Sequence, residues 1–227
     1  MTPWRRHCWL FAILGCGILV YGSLVCGSVL RAQTGEQTGD LLTRIWAGAQ
    51  QAQAKFATAC GTMSETRTSK LMVKPMVLRG KFCAEGTNRF MLEYFEPNPM
   101  QIRVNENYLN VTADGGKTQV MDIGGDIRRA ESTFATKGSL ESLEKDFAVT
   151  AQENSLDYEV KLVPQSPTYK RKLNYLVVKL NKRDFLPRSV EIDGKSGVDS
   201  VFTFDITSVN KKLPEDTFEV DKKKVNK

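Results

Sequence analysis

The only histidine of the chain, His7, lies inside a strongly apolar N-terminal segment, and none follows it. Beyond that segment neither a Ser-His-Asp nor a Cys-His nucleophile can be assembled, and no imidazole is left to ligate zinc, iron or copper. Three of the five cysteines share the segment. The other two, Cys60 and Cys83, lack CxxC spacing, which excludes a thioredoxin-like redox site. No Walker loop, GxGxxG or GxSxG occurs. Carboxylates and lysines scattered over strand-like segments remain, and these are expected to be solvated outer faces. The chain is therefore read as a non-enzyme without cofactor or metal.

Residues 1–32 carry the marks of an export signal. Arg5 and Arg6 precede an apolar run from Cys8 to Leu30, and Arg31-Ala32 leads into polar Gln33-Thr34-Gly35-Glu36. A run of this length also suffices to span a bilayer, so an uncleaved anchor is the alternative. Either way the remainder is expected outside the cytoplasm. The segment holds three arginines and no acid, so its removal lowers the net charge from +6 to +3. The excess then sits in a basic tail, 221–227, with Lys222, Lys223, Lys224 and Lys227. Basic residues are not gathered on one readable element, which argues against nucleic acid. A solvated tail is expected, with transient contact to anionic lipid as the alternative.

The exported part is long enough for one domain with a substantial core. After a short disordered spacer at 33–39, a helix is predicted from Asp40 to about residue 54, with Leu42, Ile45, Trp46, Ala49, Ala52 and Phe56 on one face. The period then changes to two. Phe82/Ala84, Phe90-Leu92-Tyr94, Ile102-Val104, Tyr158-Val160-Leu162, Leu176-Val178-Leu180, Val190-Ile192 and Phe202-Phe204-Ile206 each alternate with polar residues. Such alternation means antiparallel strands with one buried face. Turn residues punctuate them at Gly86-Thr87-Asn88, Asn105-Glu106-Asn107, Asp114-Gly115-Gly116, Gly124-Gly125-Asp126 and Asp193-Gly194-Lys195. One further helix is predicted over 139–146, capped by Ser139, with Leu140, Leu143 and Phe147 on one side. The fold class is thus α+β and mainly antiparallel: a single curled sheet of about ten strands with a few helices.

A turn within Thr68–Val73 sets Cys60 and Cys83 opposite each other on neighbouring strands, both in phase with the polar set. A cross-strand disulfide is plausible in an oxidising compartment, and two unpaired thiols are the alternative. Curling a sheet of this size tends to enclose a cavity. Large apolar inward positions without accompanying charge suit an acyl chain. The competing reading is that the helices fill the concave face and these residues are plain core.

Three stretches bear on that choice. Gly80-Lys81-Phe82 through Arg89-Phe90 to Glu93-Tyr94-Phe95-Glu96-Pro97 resembles the G-x-F…R-F-x-x-E-Y…P strand pair of the LolA-type outer-membrane lipoprotein carriers. Leu162-Val163-Pro164 matches the L-x-P of a later strand. Phe185-Leu186-Pro187, Asp193-Gly194, Phe202-Thr203-Phe204, Asn210 and Leu213-Pro214…Phe218 resemble that family's C-terminal half in order and spacing. The resemblance spans about residues 40–220. It implies an unclosed β-barrel over helices and a periplasmic carrier that ferries acylated lipoproteins from inner to outer membrane. It also implies an inner-membrane releasing transporter as donor and an outer-membrane acceptor. The chain departs from the family at Glu85-Gly86-Thr87, where the known carriers have Lys-Arg-Pro, and so lacks their closing arginine. Leu92 replaces an aromatic, and Leu109-Asn110-Val111-Thr112 replaces Trp and Tyr.

On this reading a monomer buries acyl chains against Phe82, Phe90, Leu92, Ile102, Val104, Leu143, Val160, Val178, Ile192 and Phe204, beneath a lid helix carrying Trp46. A lipid sensor of the envelope and an anchored lipid-binding protein are the alternatives.

Overall fold

The computed structural model describes residues 33–86, 88–113, 116, 118–123 and 140–221. The expected export segment 1–32, the cap residue Ser139 and the lysines of the tail lie outside the described residues.

Eleven strands form one antiparallel sheet that does not close. They are β1 (Thr58–Ser69), β2 (Met76–Glu85), β3 (Arg89–Glu96), β4 (Met100–Asn105), β5 (Tyr108–Ala113), β6 (Thr118–Asp122), β7 (Phe147–Glu153), β8 (Asp157–Pro164), β9 (Leu173–Asn181), β10 (Pro187–Gly194) and β11 (Val198–Val209). Their order is β6-β5-β4-β3-β2-β1-β11-β10-β9-β8-β7. Two meanders, β1–β6 and β7–β11, are therefore joined where the first strand pairs with the last, and β6 and β7 are the edges. Among the described residues three helices accompany the sheet: α1 (Gln33–Lys55), α2 (Leu140–Asp146) and α3 (Pro167–Lys170). A 3-10 turn, Glu215–Phe218, packs against β3 and β4, where the Asn105 amide donates to the Phe218 carbonyl at 2.9 Å.

The period-two pattern accounts for the sheet. In β8, Tyr158, Val160, Leu162 and Pro164 are buried while their neighbours are half-buried or exposed. The buried sets of β1–β5 and β7–β11 meet Leu42, Ile45 and Trp46 of α1 in one continuous core. The β1–β2 register sets Cys60 opposite Cys83, and the two form a disulfide with Cα atoms 4.2 Å apart. The turn spans residues 70–75, two residues later than the expected Thr68–Val73.

Two expectations need correction. The helix begins at Gln33, seven residues before Asp40, so the segment 33–39 is helical and not a spacer. Once the apolar face beyond Leu41 nucleates the helix, each further residue adds a hydrogen bond at little cost. The Thr43 hydroxyl, donating to the Gly39 carbonyl at 2.9 Å, belongs to this extended turn. Phe147, assigned by spacing to the side of α2, instead opens β7, fully buried with its ring 4.7 Å from that of Tyr169. Strand pairing with Pro164 outcompetes one more helical residue there.

Candidate ligand cavity

Small residues make the room. Where α1 presents Ala49 and Ala52, β1 and β2 offer Ala59 and Ala84, and a cavity of about 220 Å³ remains between helix and sheet. Ala59 and Ala84 are cross-strand partners, so the thin spot on the sheet spans two neighbouring strands. Its wall is almost wholly apolar. The aromatic side consists of Phe82, Phe90 and Phe204, with Phe204 edge-on to Phe82 at 5.1 Å. The aliphatic side comes from Val160, Leu162, Leu176, Val178, Leu180 and Val190. Leu143 of α2 reaches the same space, and Leu42, Ile45 and Trp46 form its roof.

Of the side chains expected to meet an acyl chain, Phe82, Phe90, Leu143, Val160, Val178 and Phe204 line the cavity, as does Trp46. Leu92, Ile102, Val104 and Ile192 do not. They point inward but are packed in closed core, Leu92 with no exposure at all. Leu92 pairs with Ile102, and Phe90 with Val104, so β4 and the far half of β3 lie beside the void and not under it. Ile192 pairs with Ser200, near the other end of the strands.

Phe185 and Leu186 also line the cavity, and periodicity does not reveal them because they sit in the β9–β10 loop. Phe185 has φ +58°, a left-handed conformation that is costly for a bulky residue. Its ring stacks on Tyr158 at 5.4 Å and fills a notch at Gly48 of α1. A Cβ at Gly48 would stand 2.2 Å from that ring. Around this contact, Arg44 of α1 and Lys182 of the loop both bind Glu153, at 2.8 Å and 2.5 Å, and both cations lie over the Tyr158 ring. The Lys182 hydrogen bond, and secondarily Arg44, hold the Glu153 carboxyl below the usual carboxylate range. Helix, loop and sheet are thus latched together at the cavity rim.

Trp46 is 2% exposed, and its indole N–H has no hydrogen-bond partner among the described residues.

The opposite end of the interior is sealed by polar groups. Glu65 is 1% exposed; it takes two bonds from Arg67 (2.7 and 2.8 Å), one from the Tyr94 hydroxyl (2.7 Å) and one from Ser200 (2.9 Å). Burial, together with the neighbouring Glu65 charge, pushes the Tyr94 hydroxyl pKa far up, so it remains a donor. Among the described residues no group of three or more His, Cys, Asp or Glu could hold a metal ion.

No family model matches this chain, and no curated protein matches it. Solved structures do. A LolA superfamily protein from Nitrosomonas europaea is 13% identical, covering 78% of this chain and 97% of that one, with TM-score 0.41. An outer membrane lipoprotein-sorting protein domain from Vibrio parahaemolyticus is 10% identical over 82% and 97%, with TM-score 0.42. A conserved protein from Thermus thermophilus is 11% identical over 82% and 97%, with TM-score 0.49.

Proposed function

We propose that this chain is a carrier of the bacterial envelope that holds the acyl chains of lipoproteins and works in the periplasm without catalysis. The observation that carries the reading is the apolar cavity between α1 and the sheet. A ligand entering it meets hydrocarbon on nearly every side, and each methylene buried contributes about 0.8 kcal/mol. An ester or amide carbonyl at the head of the chain would give the Trp46 N–H the acceptor it lacks.

In the closed form, about 220 Å³ falls below the roughly 300–1,000 Å³ of typical ligand pockets. Loading therefore requires α1 to lift. The contacts that resist lifting are the Arg44–Glu153–Lys182 cluster and the Phe185 ring in the Gly48 notch. This latch takes the place of the closing arginine that the resemblance leads one to expect near Gly86. Surface ion pairs give way readily, which suits a carrier that must release what it holds.

Mass spectrometry of natively expressed protein tests the reading. Acylated lipoprotein or lipid should co-purify and be lost from a Val178→Glu variant, which sets an unpaired carboxylate in the apolar wall. Protein that emerges free of acyl compounds from lipoprotein-producing cells would contradict it.

A further inference from the structure

The β1–β2 hairpin carries a different kind of surface. Of the eight large apolar side chains exposed among the described residues, four fall within residues 71–77: Leu71, Val73, Met76 and Val77. Leu71 is 96% and Val73 98% exposed, so both tip side chains stand almost wholly in solvent. The stripe continues onto the neighbouring strand, because Val77 and Val201 both pair with Thr66 on the outer face. The tip is held in shape: the Leu71 N–H donates to the Ser69 hydroxyl at 3.0 Å and the Met72 N–H to the Ser69 carbonyl at 3.1 Å.

Charge decides what such a tip fits. Arg67, Arg79 and Lys81 are paired with Glu65, Glu96 and Glu93 of the strands, whereas the tip itself, residues 68–76, carries Lys70 and Lys74 and no acidic residue. Lys70 and Lys74, both exposed, flank Leu71 and Val73 directly. Two apolar residues on a projecting turn, bracketed by cations, suit an interface with hydrocarbon below and anionic headgroups at the level of the lysines. A groove in a protein partner would instead call for matching polar groups along the flanks, and the tip presents two lysines and no carboxylate. We propose that the β1–β2 hairpin docks the protein on an anionic phospholipid surface by inserting Leu71 and Val73. The inference is independent of the carrier reading, since the tip lies at the far end of β1 from Ala59 and the cavity.

The test uses the full chain with Leu71→p-benzoylphenylalanine as a photo-crosslinker. It is mixed with vesicles of phosphatidylglycerol and phosphatidylcholine in equal parts, or of phosphatidylcholine alone. Phospholipid adducts should form on the first and fall about tenfold on the second, and a Lys70→Ala/Lys74→Ala change should cause a similar fall on the first. Leu156→p-benzoylphenylalanine, exposed at the opposite end of the sheet, controls for nonspecific tethering and should give few adducts. Equal yields from positions 71 and 156, or indifference to anionic lipid, would overturn the proposal. So would a protein adduct as the main product of position 71 in envelopes of expressing cells. Acyl-probe binding, measured in parallel, should be untouched by the lysine changes; its absence from the parent protein would count against the carrier reading alone.

Discussion

The two ends of the half-barrel's interior are built on opposite principles. At one end small side chains leave space, the helix is fastened by exposed ion pairs, and Phe185 is held in a strained backbone conformation. At the other end the strands close over Glu65, whose carboxylate is fully bonded by Arg67, Tyr94 and Ser200 from three different strands. An exposed ion pair is screened by salt and worth little, whereas a buried, multiply bonded one cannot be broken without stranding a charge. The difference teaches where the molecule can move. The Glu65 end is the fixed base, and the α1–Phe185 end is where an opening costs least.

The largest expected effect comes from attacking the base. Glu65→Ala leaves Arg67 and the Tyr94 hydroxyl half-buried or buried without their acceptor, and should cost about 3–5 kcal/mol of unfolding free energy in urea denaturation. A loss below about 1 kcal/mol would mean that this end is no more rigid than the other and would break the comparison.

A smaller effect is expected at the latch. Gly48→Ala pushes a methyl into the Phe185 ring; it should lower stability by about 1–3 kcal/mol and speed the release of an acyl probe severalfold in stopped-flow experiments. Slower release would show that Phe185 does not hold the helix down.

The smallest effect belongs to the ion pairs. Because the Glu153 carboxyl titrates below its ordinary value of 4.5, its contribution is present above that pH and is lost only as pH falls through the lowered value. Release rates should therefore be flat from neutral pH down to about 5, rise below it, and also rise with salt at neutral pH. Glu153→Gln should remove both dependences.

Alternation reveals seven of the eleven strands, β2–β4 and β8–β11, and a turn near residue 71 sets Cys60 opposite Cys83 while leaving a bond and two free thiols both open. Alternation cannot separate cavity from core. Leu92, Ile102, Val104 and Ile192 carry the same inward, apolar signature as Phe82 or Val178, and only the placement of α1 over one half of the sheet distinguishes them. The residues that create the void, Ala49, Ala52, Ala59 and Ala84, give almost no signal, since what matters is the volume they lack. Glu65 shares the inward phase of Met63 in the run Thr62-Met63-Ser64-Glu65-Thr66, but a single carboxylate in that phase says nothing of what would pair with it. Its partners, Tyr94 and Ser200, come from distant stretches that the sheet alone brings together. Phe185 lies in a loop, where periodicity says nothing of a ring aimed at a glycine notch.

The central claim is that acyl chains enter between α1 and the sheet. The most direct measurement is a fluorescence titration with a fatty-acid probe of a Trp4→Phe/Trp9→Phe chain, in which Trp46 is the single tryptophan. Saturable change in Trp46 emission is predicted, abolished by Val178→Glu in the wall and unaffected by Thr203→Glu on the outer face. Unchanged emission on binding, or binding that survives Val178→Glu in folded protein, would show that the cavity is simply a gap in the core.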